Sequence, residues 1–203
     1  MLILKKEQKM AKTDIMIDLE TLATSPDAAI LTIGAVKFDP FGRELKDPEM
    51  DSFYVRVDLD SCDEIGLVTN DDTIAWWANQ TDEAKYEAFE NTDRMHIRDA
   101  MEKLYKFCWG AQRVWSNGSG FDIVICEVVY KRLQKAVPWQ FWQTRDCRTA
   151  YDLGINPQKP KTTAHNALAD AYEQAICIQN VYNTLRTSTT ADGAYITPFI
   201  KTK

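Results

Sequence analysis

The chain has 203 residues, 45% of them hydrophobic, with a net charge of −6 and an isoelectric point near 5.0. That length supports one domain with a full core, and the acidic balance excludes a protein that coats nucleic acid through a bulk Lys/Arg excess. No apolar run reaches the roughly 18 residues of a membrane span, and the hydrophobic part of "MLILKKEQKMAKT" is too short for a secretory signal. Five cysteines without a CxxC pair favour buried free thiols over a zinc or disulfide framework. A cytoplasmic protein with no membrane partner is expected.

Residues 1–12 read as an N-terminal extension, 13–186 as one domain and 187–203 as a Ser/Thr-rich tail. Three strand-like runs come first: "TDIMIDLE", then "AAILTIGAVKF" after the turn signal "TSPD", then "SFYVRVDL". Their short connections predict an antiparallel meander. The acid-rich "DLDSCDE" lacks the glycine of a calcium loop and reads as solvated, as do His96 and the run Glu87, Glu90, Asp93. From "DDTIAWWANQ" the pattern turns helical, through "TDEAKYEAF" to "IRDAMEKLYKFCW", where Ile97, Met101, Leu104 and Phe107 recur at helical spacing. A short buried strand "QRVWSNG", a helix "FDIVICEVVYKRL", a strand running into a helix in "WQTRDCRTAYDL", and a long helix "NALADAYEQAICIQNVYNTL" complete the order β-β-β-α-β-α-β-α. That order predicts a mixed α/β domain.

Acids interrupt several of these apolar elements. Asp18 and Glu20 fall on one face of the first strand, because side chains alternate with a period of two. Asp122 opens a helix beside Phe121, Ile123, Val124 and Ile125, and Asp170 stands among Ala167, Leu168, Ala169 and Ala171. Taken singly, an acid in a first helical turn is explained by the helix dipole. Four together repel, by about 1–4 kcal/mol for each pair at ~4 Å, unless cations neutralise them. An all-oxygen donor set suits two Mg²⁺ or Mn²⁺ ions rather than Zn²⁺, and a carboxylate cluster holding two ions is the arrangement used in phosphodiester cleavage. His165 lies five positions before Asp170, about 140° away on a continuous helix. If Asn166 caps the helix, His165 belongs to the loop and can fold over the acids as a proton acceptor.

The segments "DLET", "NGSGFD" and "HNALAD" resemble the three motifs of the DEDD superfamily of 3′→5′ exonucleases, and the His-x4-Asp spacing is similar to its DEDDh branch. The likeness extends between the motifs to phage exodeoxyribonuclease A and the prophage proteins labelled exodeoxyribonuclease VIII, from about Asp14 to Leu185. It implies a ribonuclease H-like mixed sheet, three antiparallel strands plus parallel ones, flanked by helices. It implies that Asp18, Glu20, Asp122 and Asp170 are metal ligands, with His165 as general base. It further implies that Thr21, Leu22, Asn117 and Phe121 contact the terminal nucleotide. The second motif carries Gly–Ser–Gly between Asn117 and Phe121, a departure from much of the superfamily.

Trp76, Trp77, Trp139, Phe141 and Trp142 are flat surfaces on which bases could stack. Adjacent tryptophans on a helix cannot both face the core, so one of Trp76 and Trp77 is structural. Arg145, Arg148, Lys159 and Lys161 could track phosphates; pairing of Arg148 with Asp146 or Asp152 is the competing reading. The expected protein is a two-metal 3′→5′ exonuclease whose partner is nucleic acid with a single-stranded 3′ end, DNA before RNA, releasing nucleoside 5′-monophosphates. The alternatives are an exoribonuclease and a non-catalytic module that binds nucleic-acid ends.

Overall fold

A computed structural model describes residues 13–42, 51–90, 92–118, 120–153 and 165–187, with side chains to residue 185. Five strands form one sheet in the order β3-β2-β1-β4-β5: β1 (Asp14–Thr21), β2 (Ile30–Phe38), β3 (Ser52–Arg56), β4 (Arg113–Ser116) and β5 (Thr144–Asp146). β1, β2 and β3 pair antiparallel, whereas β4 and β5 join parallel to β1 and to each other. The helices are α1 (Leu59–Glu64), α2 (Asp71–Ala78), α3 (Asp82–Phe89), α4 (Ile97–Cys108), α5 (Asp122–Arg132), α6 (Cys147–Tyr151) and α7 (Ala167–Thr187). The mixed α/β sheet and the antiparallel meander are as the sequence predicts. Among the described residues no helix is long and apolar enough to cross a membrane.

The strand period divides the core. Ile15, Ile17 and Leu19 of β1 join the larger cluster with Met101 and Leu104 of α4 and Cys126 and Val129 of α5. On the opposite face Met16 packs with Val36, Phe38, Trp115 and the Ala171, Ala175 and Ile178 stripe of α7. Asp18 and Glu20 continue the Met16 face, toward α7. At the start of β1, Asp14 is fully buried and its carboxylate accepts hydrogen bonds from Arg113 Nε and Trp115 Nε1, each at 2.8 Å, and from Thr13 Oγ1 at 2.9 Å. Removing one partner of such a buried pair costs about 3–5 kcal/mol, so this pairing secures the β1–β4 contact.

Two acidic segments differ from the solvated reading. "DLDSCDE" forms α1, because the Asp58 carboxylate accepts from Asp60 N and caps the helix, while Ser61 and Cys62 turn into the core. Ser61 Oγ there accepts from Ile97 N at 2.8 Å. Glu87 takes a hydrogen bond from Tyr54 and pairs with Arg56 Nη2 at 2.9 Å, fastening α3 to β3. His96 is partly exposed but caps α4 through a ring nitrogen that accepts from Arg98 N.

Gly34 lies directly opposite Asp18 in the β1–β2 register. A Cβ placed on it would stand 2.2–2.3 Å from backbone atoms of Ala167 and Leu168, at the start of α7. Helix backbone cannot yield as a flexible side chain would. Gly34→Ala is therefore expected to destabilise the fold by about 1–3 kcal/mol, the usual cost of overpacking, and to lower activity further by moving α7 away from β1. Denaturant unfolding and turnover at full occupancy of the folded state measure the two effects; unchanged stability would show that α7 docks without this contact.

Candidate active site

Asp18 and Glu20 reach the cleft from β1 as next-but-one residues of a strand. A register shift between Glu20 and Thr21 offsets the pairing with β2 by one residue at this point, the kind of irregularity that re-aims side chains beside active sites. Asp170 comes from the first turn of α7. Asn166 caps that helix: its Oδ1 accepts from Ala169 N and its carbonyl from Asp170 N, both at 2.8 Å. Carboxylate oxygens of Asp18, Glu20 and Asp170 lie within 4.8 Å of one another.

Asp122, the first residue of α5, is 3% exposed and lines the same cavity. One of its oxygens accepts from Leu19 N at 3.0 Å. This turns it partly toward β1, and it stands outside the 4.8 Å group. His165 precedes the cap with φ 62°, a left-handed conformation uncommon for a residue with a side chain. Its ring meets Trp76 edge to face at 4.8 Å between centroids and Trp77 at 6.1 Å. The loop placement expected from Asn166 capping is the one observed.

These groups surround a cavity of about 470 Å³ whose wall also includes Asn117, Phe121, Arg148 and Trp76. A second cavity of about 490 Å³ adjoins it, sharing Leu19, Glu20, Trp76 and Phe121 and adding Thr21 and Trp77. Trp77 is the buried member of the tryptophan pair, its Nε1 donating to Thr21 O at 2.9 Å, whereas Trp76 is 42% exposed. Two predicted substrate residues fall elsewhere. Leu22 is packed in the core and lines neither cavity, because its backbone N–H and carbonyl are tied to Ala29 and Asn70. Arg145 is exposed and folds back so that Nη1 donates to the carbonyls of Trp142 and Thr144. The Asp146 carboxylate accepts from the backbone of Arg148 and Thr149 as the cap of α6. The Arg148 guanidinium instead lines the cavity. Lys159, Lys161 and Ser119 lie outside the described residues.

Trp139 is buried with its Nε1 donating to Glu127, while Phe141 and Trp142 are exposed. Glu173, Gln174, Tyr151 and Cys177 also line the first cavity and were not singled out from the sequence. For Glu173 and Gln174 the signal was present, since they follow Asp170 by three and four residues on one helix.

Burial, reinforced by the neighbouring acids, raises these carboxyls. Glu20 is pushed up to about 8 by desolvation and then by Asp170 and Asp122. Burial also carries Asp122 up to about 7, against the opposing pull of the Leu19 N–H and Arg148. Asp18 is raised well above the ordinary carboxylate range by burial and by Asp122 and Glu20, and Asp170 is raised by burial and by Glu173. A carboxyl raised on folding makes the folded state bind more protons than the unfolded one between its two pKa values. Its penalty is absent below the ordinary carboxylate range and grows as pH rises toward about 8. In EDTA the thermal midpoint should therefore be lower at pH 8 than at pH 6, by roughly 2–4 °C for each kcal/mol lost. Mn²⁺ should restore more of it at pH 8 than at pH 6. Equal midpoints in EDTA would show that folding does not raise these carboxyls.

Residues 13–182 match the family described as the 3'-5' exoribonuclease Rv2179c-like domain. The chain is 26% identical over 159 residues to the exodeoxyribonuclease of Enterobacteria phage T4, an alignment covering 67% of this chain and 69% of that protein. Among solved structures, the RNase domain of the yeast Pop2 protein is similar with a TM-score of 0.56 at 9% identity, over 91% of this chain and 81% of that one. The nuclease domain of 3'hExo, a DEDDh family member bound to rAMP, is similar with a TM-score of 0.50 at 14% identity, over 83% and 90%. Those two likenesses establish a ribonuclease H-like nuclease fold. The family match covers most of the chain, and the chain belongs to the Rv2179c-like 3'-5' exonuclease domain family: it is a 3′→5′ exonuclease.

Proposed function

We propose that this exonuclease hydrolyses the terminal phosphodiester bond of single-stranded 3′ ends, DNA in preference to RNA, and releases nucleoside 5′-monophosphates. The observation that carries the reading is the gathering of Asp18, Glu20 and Asp170 within 4.8 Å, with His165 on the wall of the same cavity. The donor set fits divalent cations: it is all oxygen, contains neither Cys nor His, and its carboxyls are raised by burial and then by one another's charge, costs that hard cations such as Mg²⁺ or Mn²⁺ offset. Asp18, Glu20 and Asp170 would hold two such ions, with Asp122 as a fourth carboxylate steadied by Leu19 N. When bound, the ions supply Lewis acidity and positive charge at the reacting phosphate.

The chain's own residues do the rest. An imidazole nitrogen of His165 accepts the proton of the attacking water, and the edge-on ring of Trp76 limits where that imidazole can turn. The second cavity, with Trp76, Phe121 and Thr21 on its wall, offers the terminal nucleoside an aromatic surface. Asn117 and Arg148 line the first cavity, where Arg148 would offset phosphate charge. A frayed single strand enters such a cleft more easily than a duplex, because unpairing and unstacking have already occurred.

The DNA preference is supported by the relative from phage T4, itself an exodeoxyribonuclease. The description of the matched family as exoribonuclease favours RNA as the second reading. Digestion of matched 5′-labelled DNA and RNA oligomers with Mg²⁺ or Mn²⁺ separates them: a ladder shortening from the 3′ end, faster on DNA, is expected. A 3′-phosphate should block the reaction, and equal cutting of circular and linear strands would mean an endonuclease.

Asp18→Ala, Asp122→Ala and Asp170→Ala should each abolish hydrolysis with folding intact or improved, since each removal relieves repulsion. Near-normal turnover in any one of them at saturating Mg²⁺ would remove that residue from the site. His165→Ala should lower the rate by about 10²–10⁴-fold while leaving binding of single-stranded ends nearly unchanged. A loss under about threefold would assign the proton to another acceptor.

A further inference from the structure

Gln174 follows Asp170 by one helical turn, so both side chains leave the same face of α7. It is 7% exposed, lines the catalytic cavity, and its Nε2 donates to Asp18 Oδ1 at 2.7 Å. Asp18 has little else to brace it from the neighbouring strand, because the residue opposite on β2 is Gly34. Gln174 Oε1 is buried and accepts no hydrogen bond from the described residues. Reversing the amide would set that oxygen against a carboxylate oxygen, acceptor against acceptor, so the orientation with the N–H toward Asp18 is the one the site demands.

We propose that Gln174 is a positioning residue that holds Asp18 in its ligand geometry. The inference rests on the reading of Asp18 as a cation ligand. A donor on one carboxylate oxygen fixes the rotamer and leaves the second oxygen and the remaining lone pair for a cation. Glutamine does this without charge. A lysine or arginine at the same place would put a positive group where the cations belong and compete with them. Gln179, on the same helix, provides the contrast: its Nε2 donates at 2.9 Å to the Asp39 carbonyl, and its Oε1 is likewise buried without a partner among the described residues. It serves a backbone turn and no carboxylate.

The test compares Mn²⁺ binding to the wild-type chain, Gln174→Met and Gln179→Met, from the EPR signal of free Mn²⁺ without nucleic acid. Gln174→Met should bind Mn²⁺ about 10–100-fold more weakly, the usual loss when a partner of a metal ligand is removed. Its turnover should recover at high Mn²⁺, so that the metal requirement changes more than the limiting rate. Gln179→Met should keep its Mn²⁺ affinity within about twofold while losing thermal stability. Should Gln174→Met lose its fold by circular dichroism, Gln174→Asn, polar but one methylene too short to reach Asp18, gives the same readout. Unchanged affinity in the folded Gln174 variant, with normal wild-type binding, overturns the positioning role alone. Absence of Mn²⁺ binding by the wild-type chain overturns the metal site and this role together.

Discussion

The architecture turns on how closely α7 can lie against the sheet. Ala167, Ala171 and Ala175 recur every fourth residue on its inner face and are completely buried, and Gly34 removes the one Cβ that would stand in the way of its first turn. Small against small brings two backbones together, and the polar side chains beside them follow. Asp170 and Gln174 reach β1 because the alanines beside them, Ala167, Ala171 and Ala175, take so little room. A bulkier stripe would leave the same acids on the same helix, several ångströms from Asp18, with nothing to cooperate with.

The two ends of β1 treat a buried acid in opposite ways. Asp14 is surrounded by fixed donors, Arg113, Trp115 and Thr13, so that its charge is satisfied by the protein itself. Asp18 and Glu20 sit six residues or fewer away, with one amide from Gln174 and other acids as neighbours. A charge can be buried only if something answers it. At the first end the answer is folded in, which marks the group as structural. At the second the protein supplies only the Gln174 amide, and in the function proposed above divalent cations from solution supply the rest.

Much of this was legible because strand and helix periods are rigid. The alternation in "TDIMIDLE" places Asp18 and Glu20 together without any knowledge of the rest, and the capping preference of asparagine separates His165 from its helix. The meander of β1, β2 and β3 follows from short connections, whereas β4 and β5 join parallel through two crossovers. What was missed depends on packing between distant segments. Nothing local distinguishes Trp76 from Trp77; the choice is made where Trp77 finds the Thr21 carbonyl, 56 residues away in sequence. Leu22 and Arg145 follow or flank motifs, yet the chain turns Leu22 inward and Arg145 back upon its own carbonyls. The helix at Leu59–Glu64 was hidden by its acids, since the two residues that anchor it, Ser61 and Cys62, carry little hydrophobic signal. Gln174 was the hardest to see, because a glutamine at helical spacing from an acid is ordinary until its partner is known.

The cysteines give the fold a set of built-in chemical clocks. None of the five thiols forms a disulfide, and all are buried. Burial pushes Cys62 up to about 11 and Cys108 up to about 12, and raises Cys126 and Cys147 as well, so little thiolate is present for an alkylating reagent while the chain stays closed. Cys62, Cys108 and Cys126 belong to the layer on one side of the sheet and Cys147 to the layer on the other. Cys177 lines the cleft wall itself. The order in which these sulfurs become labelled thus records which layer breathes first, and whether the cleft side of the molecule opens independently of the opposite layer.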